Sequence, residues 1–78
     1  MKNSKQSPIV SQTFESIKHT FGNGFQHFSQ DVQFAIAADR ATSGIVNYYA
    51  ATTGEIPAQE IIDVRTEIRT AIYGDDEN

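Results

Sequence analysis

The stretch SQDVQFAIAADRATSGIVNYYAAT, Ser29 to Thr52, constrains this chain more than any other. It contains no proline, Gly44 is its only glycine, and its apolar residues recur at helical spacing. At about 100° per residue, Phe34, Ala41, Ile45 and Tyr48 share one stripe, and Tyr49 falls at its flank. Val32, Ile36, Val46 and Ala50 form a second stripe, with Asp39 and Ser43 set into it. Only the edge carrying Gln33, Arg40, Gly44 and Asn47 is unsuited to a core. A helix with two apolar stripes needs neighbours on two sides. Glycine inside a helix costs about 1 kcal/mol relative to alanine, so the alternative ends the helix near Ser43 and makes Ile45–Ala50 a strand. The only local ladder partner for such a strand is Phe25–Phe28, and an isolated two-stranded ribbon is marginal. A continuous or kinked helix is the favoured reading.

Two shorter helices are expected around it. Ser7 can cap a helix whose first position is Pro8, where the missing N–H would be unpaired in any case. Val10, Phe14, Ile17 and Phe21 then follow at spacings of four, three and four, with Gln12, Glu15, Lys18 and His19 on the other side. Gly22 and Asn23-Gly24 end this helix. Phe25–Phe28 reads either as a short strand or as a turn packing two phenylalanines. Ser29 offers the next cap and Asp31 a first-turn charge that complements the helix dipole. After Thr52-Thr53-Gly54, Pro57 opens the third helix, whose stripe is Ile61, Val64, Ile68 and Ile72, and Gly74 closes it. The expectation is an all-α domain of three helices, at about 8–21, 30–52 and 57–73, within a single domain 7–74. Residues 1–6 read as a disordered arm and 75–78 as a disordered acidic tail.

A chain of 78 residues builds a modest core, and small domains commonly add disulfides, a metal or self-association. With no cysteine, disulfides and thiolate metal sites are out of reach. Self-association is then the leading way to cover the second stripe of the central helix, so a homo-oligomer is expected. The absence of cysteine fits a reducing cytoplasm. No segment has the length and apolarity of a membrane span or a signal peptide. The formal net charge of −4 weighs against nucleic acid, whose phosphates favour a basic surface.

Candidate chemistry is sparse. His19 and His27 lack metal-ligand spacing, Asp39 has no second carboxylate or histidine beside it by spacing, and no phosphate loop or nucleophile motif occurs. Neither catalysis, a cofactor nor a metal is expected. The third helix is more informative, because Arg65 and Arg69 lie along one edge while Glu60, Asp63 and Glu67 lie along the other. No opposite-sign pair sits at i,i+4, so the charges do not neutralise one another along the helix. Such sorting suits either a solvated face or a polarised docking surface. Ile62 and Tyr73 share the arginine edge, and tyrosine is enriched at interfaces because it combines apolar area with a hydroxyl. Ile62, Arg65, Arg69 and Tyr73, with Tyr49, therefore make the candidate contact patch.

The expected function is stoichiometric binding of a protein partner by a small adaptor, regulator or inhibitor, of the kind a phage or plasmid could carry. The alternative is a helix-turn-helix DNA binder, with the third helix presenting Gln59, Asp63, Thr66 and Arg69. The acidic residues on that surface argue against it.

Overall fold

A computed structural model describes residues 7–74. The expected arm 1–6 and tail 75–78 lie outside the described residues. Three α-helices follow in order: α1 (Pro8–Phe21), α2 (Gln30–Thr52) and α3 (Ala58–Tyr73), with a 3₁₀ segment at Gly22–His27.

The caps form as their residue types demand. Ser7 Oγ accepts from the Val10 N–H at 3.4 Å and Ser29 Oγ from the Val32 N–H at 3.2 Å. Gly22 adopts φ 58° after the last turn of α1, a conformation that disfavours any residue with a Cβ. The ambiguous Phe25–Phe28 segment is the 3₁₀ turn and its C-cap, not a strand. Its two phenylalanines are three apart, and a 3₁₀ turn places such residues on one side. Their rings meet edge-on at 6.1 Å, and Phe21 joins them at 5.6 Å from Phe28.

α2 runs unbroken through Gly44 to Thr52, so Ile45–Ala50 is helical. Gly44 is exposed, but Ala41 before it and Ile45 after it are both buried. Burying a side chain the size of isoleucine contributes about 1.5–3 kcal/mol, more than the glycine costs.

The core is Val10 and Ile17 from α1, Ala37, Ala41 and Ile45 from α2, and Val64 and Ile68 from α3. The inner face of α2 therefore differs from the expected one in two ways. Ala37 and Ala38 are buried, and Tyr48, expected in the Phe34 stripe, is 63% exposed. Tyr49, expected at the flank, packs against the core. Small residues let neighbouring helices approach α2 closely, and a bulky Tyr48 is left at the margin. The second stripe differs too, because Val32 is 44% exposed and Ala50 and Asp39 are exposed as well. Asp39 is thus a surface carboxylate.

α2 and α3 run antiparallel along their length, tied at both ends. At one end Gln30 Nε2 donates to the Ile72 carbonyl at 3.1 Å, and the Tyr73 hydroxyl donates to Asp31 Oδ1. At the other, the Tyr49 hydroxyl donates to Glu60 Oε1 at 2.5 Å. α1 is held to α2 by Arg40, whose Nη1 donates to Ser16 Oγ at 2.7 Å and Thr20 Oγ1 at 3.2 Å. Arg40, on the edge unsuited to a core, therefore makes a contact between helices.

Candidate functional site: the arginine edge of α3

The buried stripe of α3, centred on Val64 and Ile68, fixes which way its two charged edges point. The acidic edge turns inward over α1 and the end of α2. Glu67 is half-buried, and its Oε2 accepts the Ser7 backbone N–H at 2.7 Å. In a local capping box the third helical residue would supply that acceptor, but in α1 this residue is Val10, so α3 supplies it instead. A carboxylate there also faces the positive end of the α1 dipole. Glu60 receives the Tyr49 hydroxyl, and this bond, with some burial, raises the Tyr49 phenol above the ordinary tyrosine value. Asp63 accepts from Gln59 Nε2 at 3.0 Å on the exposed side.

The arginine edge is organised differently. The guanidinium carbons of Arg65 and Arg69 stand 5.5 and 5.4 Å from the centroid of Phe34, so one α2 ring serves both cations. Arg69 also lies 5.4 Å from the Tyr73 centroid, and the Phe34 and Tyr73 rings are 6.2 Å apart. A ring-face contact at an exposed site contributes about 0.5–1 kcal/mol. Like charges at i,i+4 cost about 0.2–0.5 kcal/mol, less than the ring contacts together return, so the pair is held with a small net gain. Phe34, Ile62, Arg65, Thr66 and Arg69 line an open cleft of about 280 Å³, and Ile62 stays 54% exposed. At the rim, the hydrogen bond to Asp31 raises the Tyr73 phenol, while the Arg69 charge pulls the other way.

The structure thus gathers Ile62, Arg65, Arg69 and Tyr73 along one edge of α3. Tyr49 is not part of that group. It sits at the far end of the α2–α3 pair, bonded to Glu60. Sequence reasoning missed Phe34, which it assigned to the core, and Asp31, which it read only as a dipole charge. The signal was available in the antiparallel pairing of α2 with α3, which sets the start of one beside the end of the other.

Among the described residues no group of three or more His, Cys, Asp or Glu is placed to hold a metal ion. No helix among them is long and apolar enough to cross a membrane. Comparison with protein-family models, curated proteins and solved structures finds no match for this chain.

Proposed function

We propose that this chain is a non-enzymatic interaction module, a small cytoplasmic regulator or stoichiometric inhibitor, that binds a protein partner through the arginine edge of α3. One observation carries the reading: two guanidinium groups held over a single ring, beside the exposed Ile62. Fixed cations next to apolar surface suit a partner segment that presents a carboxylate beside an apolar side chain. Arginine on an aromatic platform is well suited to the task, because the ring orients the guanidinium plane while its N–H groups remain free to donate. The acidic edge of α3 has an internal role and contributes to the partner only by keeping α3 in place.

The test is co-purification from the chain's native cells with the unaltered protein and with R65A/R69A. The expected result is a partner recovered with the first, lost with the second at unchanged helicity by circular dichroism, and released by moderate salt. An identical set of recovered proteins would remove the arginine edge from the reading. A mobility shift on mixed duplex DNA at low salt is expected to be blank, and a shift that fades steeply with salt would favour DNA instead.

Self-association is the second part of the reading. It is supported by the outer side of α2, where Val32, Ala35 and Ala50 face solvent.

A further inference from the structure

The outer side of α2 has a pattern of its own. Opposite the buried Ala37, Ala41 and Ile45 runs the row Val32, Ile36, Asp39, Ser43, Val46 and Ala50. Ile36, which also reaches the edge of the core, and Val46 are half-buried, and the other four are exposed. A solvated helix face normally carries long charged side chains. α1 exposes Glu15 and Lys18, and α3 exposes Asp63, Arg65 and Arg69, whereas the exposed charges of α2 are the short Asp31 and Asp39. Asp39 is the only charge in the row.

The spacings along the row are four, three, four, three and four, which is the seam of a two-helix coiled coil. The row is also a palindrome of kinds. Folded back about its midpoint, Val32 meets Ala50, Ile36 meets Val46, and Asp39 meets Ser43. Apolar residues find apolar ones, and the carboxylate finds a hydroxyl that can donate to it. A parallel pairing would instead set each residue against its own copy, Asp39 against Asp39, at a like-charge cost.

From this register we infer that the outer seam of α2 pairs with the same seam of a second copy, antiparallel, about a two-fold axis at the middle of the helix. Such a contact is isologous, so one surface serves both subunits. Two Ser43 hydroxyls donate to two Asp39 carboxylates across the axis, which keeps the polar centre of the seam satisfied and fixes its register. The inference rests on the self-association reading and gives it a geometry. It leaves the arginine edge of α3 outside the dimer contact. A helix pair of this length lies at the small end of specific interfaces, so the dimer is expected at about 100 µM and dissociates on dilution.

Because the chain has no cysteine, single-cysteine probes are clean. Val32 and Ala50 are both exposed, so V32C and A50C leave the core intact. Sedimentation equilibrium of the unaltered protein is measured first, followed by mild oxidation of each variant alone and of the two mixed. The expected result is a dimer in the unaltered protein and a disulfide that forms only in the mixture. In the antiparallel register two Val32 positions lie about 27 Å apart along the axis, far beyond disulfide reach. A strict monomer at about 100 µM would overturn self-association itself, including the case in which another protein covers the face. A dimer whose variants cross-link to themselves, or do not cross-link at all, would overturn the register while leaving self-association standing.

Discussion

The two edges of α3 carry charges of opposite sign and are used in opposite ways. On the acidic edge Glu60 and Glu67 are half-buried, each accepting a hydrogen bond from a distant part of the chain. On the basic edge Arg65 and Arg69 are exposed and stand over Phe34. A carboxylate has only acceptors to offer, and the end of a helix is short of partners for its N–H groups, so Glu67 completes the start of α1. A guanidinium stacked on a ring keeps donors free for something outside the molecule. Equal sorting of charge in sequence therefore gives one edge that holds the fold and one that is available.

The stripe between the edges should dominate stability. Ile68 is fully buried, and Ile68→Ala is expected to cost about 2–5 kcal/mol in urea denaturation, loosening both edges at once. A loss below 1 kcal/mol would mean that α3 is not held by its buried stripe. Smaller is the effect of the cap that Glu67 supports. Ser7→Ala should cost about 1 kcal/mol and Ser7→Gly only a few tenths, because glycine is itself tolerated at this position. No loss in either variant would show that the Ser7 hydroxyl contributes nothing beside Glu67.

A titration separates the edges further. Tyr49 and Tyr73 are both raised above the ordinary tyrosine value, each first by its hydrogen bond to a carboxylate. A raised folded-state value means that the stabilisation is complete below about pH 10 and is lost as pH climbs through the folded value. Phenolate absorbance should therefore show both groups ionising late. Arg69→Ala should push Tyr73 higher still, since the arginine charge now opposes the shift, and should leave Tyr49 unmoved. If Arg69→Ala lowered Tyr73, the arginine would be acting there by packing and not by charge. The smallest stability effect is expected for Arg65→Ala alone, within about 0.5 kcal/mol of the parent, because ring contact and like-charge repulsion nearly offset.

Much of this architecture was legible before any coordinates. Ser7-Pro8, Gly22, Ser29 and Gly74 mark helix ends by local chemistry, and the elements begin and stop where those residues stand. The arginine edge was legible for the same reason, since Ile62, Arg65, Arg69 and Tyr73 share a side through helix geometry alone. What could not be read depends on neighbours distant in the chain. Glu67 and Ser7 are 60 residues apart, and nothing local joins them. On a helical wheel Tyr48 shares the stripe of Phe34, Ala41 and Ile45, which points it at the core. In the fold, Ala37 and Ala38 allow close approach and Tyr48 faces out. Phe34 does pack against the core as its stripe expects, and its second role, under the two arginines, depends on the pairing of α2 with α3 and not on the wheel.

The division between the edges can be tested in one pair of urea titrations, of Glu67→Ala and of the double variant R65A/R69A. Removing the buried-side acceptor of the Ser7 N–H should cost about 1.5–3 kcal/mol, and removing both arginines about 0.5–1.5 kcal/mol, the smaller loss of the two. If the arginine double variant is instead the more damaged of the two, the basic edge is part of the scaffold and the account of α3 fails.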